Sequence, residues 1–194
     1  VDFRNASPWG DPWEYIYGDA VSAENITGSA FNDWFCGDDN ANVLKGMAGN
    51  DELHGWGGDD TIEGGAGADV LNGWGGTDTL SYAASTAGVY IDLSIGEAFG
   101  GDAEGDTFTA FENVTGSRLA DQLKGDAGAN RLVAGAGDDW LVATAGGDRY
   151  EGGEGKDFVD YSASTEGVYL ILSSYTPTFQ YDGTGYTGLA NGHT

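Results

Sequence analysis

Eleven Asp or Asn residues recur at nine-residue intervals in two runs: Asp33, Asn42, Asp51, Asp60, Asp69 and Asp78, then Asp121, Asn130, Asp139, Asp148 and Asp157. Their side chains offer hard oxygen donors, and the chemistry such a series can do is to bind cations. Carboxylates brought close together repel unless a positive ion lies between them. Oxygen ligation of variable geometry suits Ca2+ better than the strict octahedron of Mg2+. A Cys/His zinc site is excluded, since the chain has one cysteine, Cys36, and two histidines, His54 and His193. Several calcium ions are therefore the expected ligand.

The elements that must position these residues share the period. From Gly28 the chain reads GSAFNDWFC, GDDNANVLK, GMAGNDELH, GWGGDDTIE, GGAGADVLN and GWGGTDTLS, and from Gly116 it reads GSRLADQLK, GDAGANRLV, AGAGDDWLV, ATAGGDRYE and GGEGKDFVD. The Asp or Asn is at position six. Position eight is always apolar or aromatic: Phe35, Leu44, Leu53, Ile62, Leu71, Leu80, Leu123, Leu132, Leu141, Tyr150 and Val159. In a chain that is 40% hydrophobic, eleven such hits in succession have a chance on the order of 10⁻⁵, so the period is real.

Nine residues with one apolar position fit neither strand alternation nor a helical stripe. Each unit is expected to be a turn plus a short strand. Glycines at positions one and four would supply positive φ angles and close backbone approach, and the triplet around position eight would supply a strand with one inward side chain. Two units make an eighteen-residue coil, so residue i stacks on i+18 at roughly 4.8 Å. Asp33, Asp51 and Asp69 then form a column on one edge, and Asn42, Asp60 and Asp78 form one on the other. In the second array Asp121, Asp139 and Asp157 share an edge, and Asn130 stacks with Asp148.

Units such as GGAGADVLN and GGEGKDFVD resemble the repeat of RTX, or hemolysin-type, calcium-binding β-roll proteins secreted by Gram-negative bacteria. The resemblance covers about half of the chain. It implies a parallel β-roll with Ca2+ held between successive turns by the position-six Asp and by turn carbonyls, type I secretion, and folding outside the cell. Departures from the pattern weaken particular sites. Asn42 and Asn130 lack charge, Phe31, Asn40 and Leu119 replace the fourth-position Gly, and Ala134 and Ala143 replace the first. Asp51, Asp60, Asp69 and Asp78 form the sites nearest the pattern.

The expected fold class is all-β: a parallel β-roll, a β-solenoid with eighteen residues per coil, in two nonapeptide arrays joined by an irregular strand-containing spacer. The divisions are 1–27, an aromatic N-terminal cap or linker; 28–81, the first array; 82–115, the spacer; 116–160, the second array; and 161–194, a C-terminal strand and cap. Tyr82–Leu93 recurs as Tyr161–Leu172, and Glu24-Asn-Ile-Thr-Gly-Ser29 recurs as Glu112-Asn-Val-Thr-Gly-Ser117, so the chain is a near-duplication. In the spacer, Val89, Ile91 and Leu93 alternate with Tyr90 and Asp92 as in a half-buried strand. Asp102, Glu104 and Asp106 follow, either as one more calcium site or as a solvated acidic loop.

Seven Lys or Arg against 32 Asp or Glu give a formal charge of −25, which excludes electrostatic binding to nucleic acid or anionic membranes. No apolar run is long enough for membrane insertion. No signal peptide is visible, and the chain reads as a fragment or processed product. No HExxH, GxSxG, P-loop or glycosidase pair is present, so this chain is not expected to be an enzyme. Trp56 and Trp74, both at position two, should stack at an exposed edge, either covering a calcium site or contacting carbohydrate or a partner protein. Aromatic residues at both ends, among them Trp9, Trp13, Tyr175 and Tyr186, read as caps of an open coil or as docking elements for a neighbouring domain or subunit.

One buried side chain per nine residues is too little to order the backbone unaided, so calcium is expected to drive folding. Three roles follow. The first is a structural calcium-binding module of a secreted or cell-surface protein that folds on meeting extracellular calcium. The second is a self-assembling surface-layer or adhesion unit joining copies of itself. The third is a non-catalytic accessory region of an RTX exoenzyme.

Overall fold

The computed structural model describes residues 24–163 and 179–180. The aromatic terminal segments and the second copy of the spacer motif from residue 164 lie outside the described residues, apart from the strand at 179–180. Among the described residues there is no α-helix, only a single 3-10 turn at Gly101–Ala103 and short strands. The first array and its lead-in give β1 (Asn25–Thr27), β2 (Trp34–Cys36), β3 (Val43–Ala48), β4 (Glu52–His54), β5 (Thr61–Ala66), β6 (Val70–Asn72) and β7 (Thr79–Ser81). The spacer gives β8 (Tyr90–Asp92), β9 (Glu97–Phe99), β10 (Thr107–Thr109) and β11 (Asn113–Thr115). The second array gives β12 (Gln122–Lys124), β13 (Arg131–Ala136), β14 (Trp140–Val142), β15 (Arg149–Glu154) and β16 (Phe158–Asp160), and β17 (Phe179–Gln180) follows.

The strands stack as a parallel β-solenoid with eighteen residues per turn. Leu44 lies beside Ile62 and Ile62 beside Leu80 on one face, while Phe35, Leu53 and Leu71 are neighbours on the other. The first face is one eight-stranded sheet in the order β1-β3-β5-β7-β11-β13-β15-β17. The second face holds two sheets, β2-β4-β6-β10 and β9-β8-β12-β14-β16. Pairing is parallel except for β8 with β9 and β15 with β17.

The spacer continues the roll through irregular rungs. From β7 the chain runs ahead to lay β8 against β12, with Ile91 opposite Leu123, and doubles back as β9. It then returns to place β10 against β6 and inserts β11 between β7 and β13. The two arrays therefore share one continuous sheet.

The interior is the column of position-eight side chains. Leu44, Leu53, Ile62, Leu71, Leu80, Leu123, Leu132, Leu141 and Tyr150 are buried, while Phe35 and Val159, towards the two ends of the described residues, are only partly covered. Tyr82, Ile91, Phe111 and Val114 carry the core across the spacer. Val89 and Ile91 face inward as the alternation requires, but Asp92 is buried too, because Lys124 Nζ meets its Oδ2 at 2.8 Å.

The turn chemistry differs from expectation at one position. Position-four glycines such as Gly49, Gly58, Gly67 and Gly76 do have positive φ, whereas position-one glycines such as Gly46 and Gly55 do not. The second left-handed residue is at position two, where Met47 (φ 85°), Trp56 (77°) and Trp74 (67°) stand beside Gly65 and Gly153. Position one is glycine for space instead. Among the described residues no helix is long and apolar enough to cross a membrane.

Candidate metal centres

The turns project their position-six side chains back along the roll, and one bond recurs along the columns. Asp51 Oδ1 accepts the Asp33 N–H (2.8 Å), Asp69 Oδ1 the Asp51 N–H (2.8 Å) and Asp106 Oδ1 the Asp69 N–H (2.8 Å). On the opposite edge Asp60 accepts from Asn42 (2.7 Å), Asp78 from Asp60 (2.8 Å), and Glu112 Oε2 from the Asp78 N–H (2.7 Å). Asn130 follows, its Nδ2 donating to the Glu112 carbonyl, and Asp148 accepts the Asn130 N–H. In the second array Asp139 accepts from Asp121 (2.8 Å) and Asp157 from Asp139 (3.3 Å). The expected columns are thus present, and Asp106 and Glu112 extend them into the spacer.

The second carboxylate oxygen divides the columns into two kinds. In Asp51, Asp60, Asp69, Asp78 and Asp139, Oδ2 is buried and meets no donor, although each residue is 2% exposed or less. Such oxygens are costly in an apolar interior. Elsewhere the oxygen is occupied. Ser29 donates to Asp33, Ser117 to Asp121, and the Thr144 and Tyr150 hydroxyls to Asp148, while in Asn42 and Asn130 the single amide oxygen accepts the N–H of Asp38 and of Asp126. Asp157, on the last of the described coils, is exposed.

In Asp51, Asp60, Asp69 and Asp78 the unpartnered oxygen occupies space that a glycine at position one leaves open, whereas Asp139 has Ala134 at that position. A Cβ on Gly46 would collide with Asp51 Oδ2 and the Gly64 carbonyl, and one on Gly55 with Asp60 Oδ2 and the Gly73 carbonyl. These two turns each bring a carboxylate oxygen and the next turn's carbonyl oxygen to one place. Among the described residues no three Asp, Glu, His or Cys side chains gather around a point. A cation here would be held by paired carboxylates with turn carbonyls, a donor set of hard oxygens that fits Ca2+. Burial, ahead of the neighbouring carboxylates, raises Asp69 to about 7 and Asp78 and Asp139 to about 6, and it raises Asp51 and Asp60 as well. Charge compensation is what these groups lack.

The spacer acids separate. Asp106 is buried, accepts the Asp69 N–H and the Tyr82 hydroxyl (2.9 Å), and is raised by burial to about 6. Asp102 is half-buried beside it, with its N–H on Ser85 Oγ, whereas Glu104 is exposed and accepts the Gly100 N–H. Glu112 was not among the candidates read from the sequence. Running the second array's frame back one unit, over TFTAFENVT, would have found it, with Glu112 at position six and Val114 at position eight.

Trp56 and Trp74 stack with ring centroids 6.0 Å apart and planes 23° from parallel, and both remain more than half exposed. They lie on each other along the edge, with Trp74 Nε1 donating to His54 Nδ1 at 3.4 Å.

The RTX calcium-binding nonapeptide repeat matches the chain in four copies, at residues 36–71, 57–84, 115–150 and 124–159. No curated protein matches it. The four copies cover the turns that hold the buried, unpartnered aspartates, and they imply a Ca2+-binding module of the kind found in secreted proteins. By its repeats, its parallel β-roll and its columns of turn aspartates, the chain belongs to the RTX calcium-binding nonapeptide-repeat family.

Proposed function

We propose that this chain is a structural, non-catalytic calcium-binding module of a secreted or cell-surface protein, and that it folds on meeting extracellular Ca2+. The observation that carries the reading is the set of five buried aspartate oxygens without donors, of which those of Asp51, Asp60 and Asp78 are set against a turn carbonyl. Asp51, Asp60, Asp69, Asp78 and Asp139 are the principal ligands in this reading. Asp33, Asp121, Asp148, Asp157, Asn42 and Asn130 complete the columns, and Asp106 continues one of them in the spacer. In the metal-free chain these carboxylates oppose the fold; with calcium between successive turns they become its cross-links.

The test is far-UV circular dichroism during a calcium titration from a chelated start, with magnesium as control. A cooperative gain of β signal near 10⁻⁴–10⁻³ M Ca2+, the range of extracellular modules, and its absence with Mg2+ support the reading. A chelated chain already fully folded would sink it.

A further inference from the structure

The column through Asp60 and Asp78 crosses the spacer at a turn outside the matched repeats. Between β10 and β11 the chain has three residues, Ala110, Phe111 and Glu112, where the preceding coil has the six of Gly73–Asp78 between β6 and β7. The flanking strands are nonetheless in parallel register with those of that coil. Half the length closes the same corner through three adjustments. Ala110 takes a left-handed φ of 58°, Phe111 turns into the core, and the carboxylate comes from Glu112, whose extra methylene reaches the Asp78 N–H. Its Oε2 makes the bond that an aspartate Oδ1 makes in the regular coils.

The carbonyl follows the same substitution. A Cβ on Gly73 would meet the Ala110 carbonyl and Asp78 Oδ2, as a Cβ on Gly55 would meet the Gly73 carbonyl and Asp60 Oδ2. Asp78 is fully buried and its Oδ2 has no donor. The seam thus has the elements of a repeat site in a turn of half the length. Resting on the calcium reading above, we propose that Asp78, Glu112 and the Ala110 carbonyl hold a Ca2+ ion at the seam. This site lies at a turn outside the matched repeats, and it ties the two arrays together.

Native mass spectrometry in calcium counts bound ions on the whole chain. Glu112→Gln, which keeps an oxygen for the Asp78 N–H, should carry one ion fewer than the wild type, while Glu97→Gln, an exposed spacer acid, should carry the same number. An unchanged count in Glu112→Gln overturns the proposal. A wild type that binds no calcium at all overturns the reading of the repeats themselves, a different result. Should Glu112→Gln gain no β signal in calcium, wild-type crystals grown with calcium decide. An anomalous peak between Asp78 and Glu112 supports the site, and peaks in the arrays with none at the seam reject it.

Discussion

In Asp69, Asp78 and Asp139 one carboxylate oxygen takes a backbone N–H and the other takes nothing, and burial lifts all three well above the ordinary carboxylate value. Groups whose folded values are raised hold more protons folded than unfolded. Their contribution to the metal-free fold is full below about pH 4 and declines as pH climbs towards 7. Calcium needs the deprotonated form, so its affinity should rise over the same window. In chelator, β signal measured by circular dichroism should therefore grow as pH is lowered from about 7.5 to about 4.5, and in calcium the midpoint concentration should fall as pH is raised. A second test concerns the glycines beside these oxygens. Gly55→Ala pushes a methyl group into Asp60 Oδ2 and the Gly73 carbonyl, whereas at Gly75 the nearest atom is the Trp56 carbonyl at 3.6 Å. Gly55→Ala should cost about 1–3 kcal/mol of calcium-loaded stability, and Gly75→Ala should be close to neutral in the same denaturant titration.

Each coil is two turns and two short strands, and its two inward side chains are its main apolar anchors. Leu53→Ala or Ile62→Ala leaves a hole between stacked neighbours with no exposed surface to relax into, and a loss of about 2–5 kcal/mol is expected by thermal or urea unfolding in calcium. Val70→Ala, on the outer side of β6 and 46% exposed, should change little. Coils of this regularity are legible in a sequence because turn, strand and inward residue repeat together, so position eight and the i+18 register follow from counting. The spacer is not legible in that way. Across it Asp69 meets Asp106 at a separation of 37, Asp78 meets Glu112 at 34, and Val89 meets Asp121 at 32. Those separations arise from the strand β8 that runs ahead and the strand β10 that returns, which no local period records. Position two escaped for another reason: Met47, Trp56 and Trp74 accept left-handed backbone that residue type alone argues against.

At the scale of the whole molecule, the eight-stranded face makes the two arrays one object, although the second face is divided at the spacer. Its strands are stacked in chain order on that face, so the two ends of the described chain lie at opposite ends of the stack. This arrangement decides how the roll answers a mechanical load. Tension between its ends acts along the backbone hydrogen bonds and opens them coil by coil, as a zip rather than a shear. Each coil released adds eighteen residues of slack, roughly 60 Å when drawn out. A single-molecule pulling trace in calcium should show a ladder of such steps with a longer one where the spacer comes free, and the ladder should be lost in chelator. One undivided rupture in calcium would contradict this picture. A chain built in this way can pay out length in measured portions and, with calcium present, wind it in again.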